Sequence, residues 1–235
     1  SSVGESARFS NGVEIDLERV PLVQKAIIRK CNALGKPVIT ATQMLQRMVD
    51  NPRPTRAEAT DVANAILDGT DAVMLSEETA VGKYPVEAVM MMDRIARSAE
   101  SALDELKFEN IPIENDTDDA ISRSSYFIAK EIGASAIVVP TWTGSTACLV
   151  ARFRPKQPII ATTPNEAALD FLSLCWGVVP LQISPSDNID DMVRFSIDAA
   201  RRAGYIASGQ QVIITGGMPL HVAGKTNFIK VERLK

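Results

Sequence analysis

Residues 36–85 read KPVITATQMLQRMVDNPRPTRAEATDVANAILDGTDAVMLSEETAVGKYP, and the fold is decided there. Residues 37–41 form a short apolar run of the kind a buried parallel strand needs. Thr55 and Glu58 stand at capping-box spacing, each able to satisfy the other's free amide donor, so a helix is expected from there to Asp68-Gly69. Residues 71–75 read as a second strand. Pro85 suits the first position of another helix, with an expected buried face of Val89, Met92, Ala96, Ala99 and Leu103. Upstream, Val20, Val23, Ile27, Cys31 and Leu34 recur at helical spacing, and Gly35 can take the left-handed stop. Strand and helix alternate, which calls for parallel strands covered by helices.

The same alternation returns after a break in charge. Residues 104–119 (DELKFENIPIENDTDD) carry seven carboxylates against one lysine, and the tract reads as a solvated linker between two apolar, periodic halves. Beyond it, helices are expected at 120–132, 144–153, from Asn165 onward and at 189–203. Strands are expected at 136–139, 158–162, within 176–183, at 211–215 and at 227–231. That describes an α/β domain with a sheet of about five strands. The domain limits expected are 1–103, a linker at 104–116, and 117–235.

Composition narrows the function. A net charge of −4 over 235 residues argues against a nucleic-acid partner, and no apolar run approaches the roughly 20 residues that span a bilayer. With one histidine, His221, a His-rich metal site is excluded. Cys31, Cys148 and Cys175 follow no metal-ligand spacing, so no metal ligands are assigned and the cysteines read as reduced thiols of a cytoplasmic protein.

Residues 36–85 resemble the pyruvate kinase family throughout. So do GVEIDLERVPLVQKAIIRKCN (12–32), RFRPKQPIIATTPN (152–165) and TGGMPLHVAGKTN (215–227). The resemblance implies a partial (β/α)8 barrel segment followed by that family's C-terminal α/β effector and assembly domain. It implies phosphoryl transfer from phosphoenolpyruvate to ADP in glycolysis, with Mg²⁺ and K⁺ as cofactors, a sugar-phosphate or nucleotide effector, and a homo-oligomer, usually a tetramer. A full barrel takes about 250 residues, so the chain is expected to be a fragment, inactive alone. The alternative is a non-catalytic module that binds phosphometabolites and assembles with other copies.

Candidate residues follow from the strand ends. Barrel enzymes place their chemistry at the carboxyl ends of the strands, where Thr42 and the run Ser76-Glu77-Glu78-Thr79 lie. By resemblance, Thr42 matches the hydroxyl that protonates the enolate carbon, while Ser76 and Glu78 match the network feeding that proton. A hydroxyl is a poor acid without such a partner. The alternative for Thr42 and Ser76 is helix capping. Glu77 stands where the family has glycine, and disturbs the turn only if a positive φ is needed there. In Ser6-Ala7-Arg8-Phe9-Ser10-Asn11-Gly12, Ser10 occupies the place of the family's metal-binding aspartate, and a neutral hydroxyl is a weak ligand for a hard dication. Residues 1–10 hold no apolar run suited to the barrel's sixth strand. Arg56 matches a subunit-interface residue, or is an exposed arginine at a helix start.

Residues 140–146 (PTWTGST) join a strand to a helix. Thr141, Thr143, Ser145 and Thr146 with Gly144 suit a phosphate at a helix N-terminus, and match the family's effector loop. Lys225, in the glycine-flanked loop 216–226, is a second phosphate contact or a plain surface lysine. His221 reads as a loop residue. Trp142 and Trp176 are core or stacking residues.

Overall fold

The computed structural model describes residues 16–41, 44–103, 108–111, 116–218 and 225–235, and the chain divides into two units, 1–32 with 37–104 and 33–36 with 105–235. In the first, helix α1 (Val20–Ala33) leads to strand β1 (Ile39–Thr40) and a 3-10 turn (Gln46–Val49). Helix α2 (Arg56–Asp68), strand β2 (Ala72–Val73), the single turn α3 (Glu77–Ala80) and α4 (Pro85–Glu100) follow. β1 and β2 pair in parallel, Ile39 opposite Ala72 and Thr40 opposite Val73, as the alternation requires. The capping box closes in full: the Thr55 hydroxyl accepts from the Glu58 amide while the Glu58 carboxylate accepts from the Thr55 amide. Gly69 ends α2 at φ 100°, a conformation that favours glycine.

Two helix faces differ from expectation. On α4 the buried residues are Ala88, Met92 and Ala99, whereas Val89 is 53% exposed. Ala88 joins Val62 and Ala65 of α2 in one cluster with Met44, Leu45, Met48 and Met92. Two alanines in that cluster suit closely packed backbones, and a larger side chain at 88 would hold the helices apart. On α1 the buried residues are Ile28 and Asn32, not Ile27 and Leu34; Asn32 donates to the Gly69 carbonyl at 3.0 Å, which holds the end of α2.

The second unit is built on a five-stranded sheet. Its elements are α5 (Thr117–Glu131), β3 (Ala136–Pro140), α6 (Ser145–Ala151), β4 (Ile159–Thr163) and α7 (Glu166–Leu172), then β5 (Val178–Gln182), α8 (Ile189–Arg202), β6 (Gln211–Gly216) and β7 (Phe228–Arg233). The strand order is β5-β4-β3-β6-β7, parallel except for β7. β3 and β4 are buried along their whole length, and alternate residues feed opposite faces. Ile137, Val139, Ile159, Ala161 and Ile213 pack with residues of α5, α6 and α7, and Ala136, Val138, Ile160, Val212 and Ile214 pack with Val193, Ile197 and Ala200 of α8.

The acidic tract is not wholly a solvated linker. Asp116 caps α5 by accepting from the Asp119 amide, and Asp119 itself is buried, accepting from the Arg152 guanidinium at 2.5 Å. A charge pattern cannot distinguish a solvated carboxylate from one that meets an arginine 33 residues later. Residues 104–107 and 112–115 of that tract lie outside the described residues.

Asp119 and Arg152 are 7% and 2% exposed at their side chains. Removing one partner strands the other charge, so Asp119→Ala should lower the urea-unfolding free energy of this unit by about 3–5 kcal/mol. Asp119→Leu combined with Arg152→Met should recover most of that loss. An Asp119→Ala change under 1 kcal/mol would show that the pair is not holding the unit together.

Candidate functional site

In the first unit Ser76 and Glu78 lie beyond the carboxyl end of β2, and Leu45 beyond that of β1. Glu78 is 2% exposed, and both its carboxylate oxygens are engaged: Oε1 accepts from the Leu45 amide at 3.0 Å and Oε2 from the Ser76 amide at 2.8 Å. One side chain thus ties the segment after β1 to the segment after β2. Ser76 is exposed at the start of α3, and its hydroxyl makes no capping bond, so the capping alternative does not describe it. Thr42 lies outside the described residues, although residues 40, 41, 44 and 45 bracket it.

Glu77 is exposed in the first turn of α3 and accepts from the Gln46 side chain at 2.7 Å. Among the described residues only Arg154 has positive φ without being glycine, so Glu77 imposes no strain of that kind. The glycine that the turn does require is Gly82, where a Cβ would overlap the Glu78 carbonyl.

Glu58 does similar work for the amide of Arg47, two residues after Leu45. Its Oε1 accepts from the Arg47 amide at 2.6 Å and its Oε2 from the Thr55 amide at 2.7 Å and the Thr55 hydroxyl at 3.0 Å. Burial pushes the carboxyl up, but the amides of Arg47 and Thr55, the Thr55 hydroxyl and the Arg47 charge together hold it below its ordinary value. Sequence reading identified only the capping half of this role. Nothing in a local pattern announces an acceptor for an amide 11 residues upstream. Arg56 is exposed at the start of α2 and forms no ion pair among the described residues.

In the second unit the loops after β3 and β6 meet where the strand order reverses, since β4 lies on one side of β3 and β6 on the other. Ligands of open α/β sheets bind in the crevice outside such a switch point. The backbones approach closely there: a Cβ on Gly216 would come within 3.1 Å of the Pro140 carbonyl oxygen, and one on Gly217 would overlap the Lys225 carbonyl.

The hydroxyls of the first loop divide by role. Thr141 accepts from the Gly144 amide at 3.0 Å and shapes the turn, with Gly144 at φ 91°. Thr146 is buried and shares a 2.8 Å hydrogen bond with Thr226, whose amide donates to Asp118 at 2.6 Å. Thr143 and Ser145, 3.2 Å apart, remain at the rim, with Lys225 exposed on the second loop. Trp142 is 41% exposed, whereas Trp176 lies beneath the Arg154 guanidinium at 5.2 Å. His221 lies outside the described residues. Among them, no group of three or more His, Cys, Asp or Glu side chains could hold a metal ion, and no helix is long and apolar enough to cross a membrane.

These features define an α/β protein that joins a parallel strand–helix unit to a doubly wound mixed sheet. The pyruvate kinase barrel-domain family model matches residues 5–89, and the pyruvate kinase alpha/beta-domain model matches residues 119–232. The chain is 50% identical over 229 residues to the pyruvate kinase of Clostridium acetobutylicum, covering 96% of this chain and 48% of that protein. It is 52% identical to the pyruvate kinase of Geobacillus stearothermophilus over 96% of this chain and 39% of that protein. The chain belongs to the pyruvate kinase family, and it spans less than half the length of these two relatives.

The depressed Glu58 carboxyl links stability to pH. A group whose folded value lies below its unfolded value stabilises the fold above the unfolded value, about pH 4.3 for Glu. That stabilisation is lost as pH falls through the lower, folded value. Glu58→Gln should cost about 1 kcal/mol near neutral pH, the usual scale of a lost cap, and should make the urea midpoint of this unit fall less on acidification than the unchanged chain's does. Parallel pH profiles would rule the linkage out.

Proposed function

We propose that this chain supplies strand–helix units of the catalytic barrel, together with the effector domain, to a pyruvate kinase that transfers the phosphoryl group of phosphoenolpyruvate to ADP. The observation that carries the proposal is Glu78, which fixes both strand-end segments through one carboxylate in a chain about 50% identical to named pyruvate kinases. In this reading Thr42 delivers the proton to the enolate carbon and Ser76 belongs to the polar network behind it. Glu78, with both oxygens already taken by amides, is a positioning residue. Phosphoryl transfer draws its rate from charge neutralisation and alignment. Mg²⁺ and K⁺ enter as the family's cofactors.

The second unit takes the effector. Thr143, Ser145 and Lys225 would contact the phosphate of a sugar phosphate or nucleotide, and Gly144 lets the backbone approach it. Thr141 and Thr146 hold the loop in shape. The switch-point position supports this reading. Arg56 serves a subunit contact in a cytoplasmic homo-oligomer, the family tetramer.

The catalytic proposal is tested with the full-length protein carrying this sequence, in a coupled assay with phosphoenolpyruvate, ADP, Mg²⁺ and K⁺. Thr42→Val should lower kcat about 100-fold or more while changing KM for phosphoenolpyruvate little, the loss expected of a general acid. Unchanged kcat would remove Thr42 from the proton path. Residues 1–235 alone should show no turnover in the same assay, and robust turnover would overturn the expectation of a fragment.

For the effector reading, Lys225→Ala and Thr143→Ala should each weaken binding of a sugar bisphosphate, followed by calorimetry, by about tenfold, as lost charge-assisted bonds do. Unchanged affinity in both variants would place the ligand elsewhere.

A further inference from the structure

Cys148 and Cys175 lie 27 residues apart in sequence, but their Sγ atoms are 2.9 Å apart. Non-bonded carbon atoms rest at about 3.5–4.0 Å and sulfur is larger, so this contact is already tighter than simple packing. Both residues are 5% exposed, within a cluster of Ala147, Val150, Ala151 and Leu172. The segments that carry them are packed just as closely. A Cβ on Gly144, one turn before Cys148, would come within 3.0 Å of Leu172 and 3.3 Å of Phe171, at the end of α7 and shortly before Cys175. Cys148 sits within α6, held by the helix ladder. Cys175 sits in the turn between α7 and β5, flanked by the exposed Ser173, Leu174 and Gly177.

We propose that Cys148 and Cys175 form an oxidation site, at which hydrogen peroxide converts two neighbouring thiols into an intramolecular disulfide. The bond requires the sulfurs to approach by about a further 0.9 Å, to the ordinary S–S length of about 2.05 Å. Cys175, on the turn, is the sulfur that local opening delivers to the oxidant. Its sulfur attacks one peroxide oxygen and the O–O bond breaks. The departing hydroxide takes up the thiol proton as water, leaving Cys175 as a sulfenic acid. The Cys148 sulfur then attacks the sulfenic sulfur. The S–O bond breaks, and the hydroxyl leaves with the Cys148 proton as a second water. Two thiols lose two electrons, one peroxide gains them, and a dithiol reductant reverses the change. The disulfide would join the helix that begins at Gly144 to the turn that feeds β5.

The test is exposure of the intact chain to hydrogen peroxide, followed by alkylation under denaturing conditions, mass measurement and non-reducing peptide mapping. Expected are a mass before alkylation lower by the two hydrogens lost, about 2 Da, one alkylated thiol in place of three afterwards, and a linked peptide pair containing Cys148 and Cys175, all reversed by dithiothreitol. Cys31, half-buried on α1, is the internal reference and stays alkylated. In Cys175→Ser, Cys148 should remain a thiol under the same exposure. Three thiols surviving, separate sulfinic acids on Cys148 and Cys175, or a disulfide between two chains would each overturn the proposal. So would equal oxidation of Cys148 in the Cys175→Ser variant. None of these measurements depends on catalytic activity or effector binding.

Discussion

Several backbone amides that no ladder reaches are taken up by carboxylates, and this shapes both units. A buried amide without an acceptor costs free energy comparable to a lost hydrogen bond. In the first unit Asp71 accepts from the Val38 amide, Glu78 from those of Leu45 and Ser76, and Glu58 from those of Arg47 and Thr55. In the second, Asp116 accepts from the Asp119 amide and Asp118 from that of Thr226. A carboxylate offers two oxygens and several lone pairs, so one side chain can hold two segments far apart in sequence. The acidic excess of the chain is therefore partly internal: several of its carboxylates serve as acceptors for the backbone.

Through that constraint Glu78 acquires its role. With one oxygen toward the segment after β1 and the other toward the segment after β2, it sets where the intervening backbone runs. Gly82 is fixed by the same geometry, since its backbone passes too near the Glu78 carbonyl for any side chain. Glu77, by contrast, faces solvent and Gln46. The backbone of α3 at that position therefore does not demand a glycine.

Much of the fold was legible in the sequence because its signals are local. The capping box at Thr55, the left-handed Gly69, the Asn165 cap and the parallel alternation of strand and helix each depend on residues a few positions apart. The face of α4 was not legible in that way. Val89 and Ala88 are neighbours, and bulk favours the valine, but the α2–α4 packing takes the alanine. Asp119 was misread for the corresponding reason, since its partner Arg152 is remote in sequence. The site divides similarly. Strand ends pointed to residues 42 and 76–79, while nothing local distinguished the amide-binding role of Glu78 from a solvent-facing one.

The loop after β3 shows why counting hydroxyls overstates a binding site. Four Ser or Thr residues follow one another around Gly144, yet a loop that approaches a ligand must first satisfy itself. Thr141 is spent on the Gly144 amide and Thr146 on Thr226. What remains at the rim is a pair, Thr143 and Ser145, bonded to each other and free to exchange that bond for a phosphate oxygen at little cost. The Thr146–Thr226 bond is as consequential as any direct contact, because it fastens the start of α6 to the strand-end loop that carries Lys225. Thr226 in turn is anchored to Asp118 at the first turn of α5. Hydroxyls turned inward thereby fasten the start of α6, the segment that carries Lys225 and the first turn of α5 to one another.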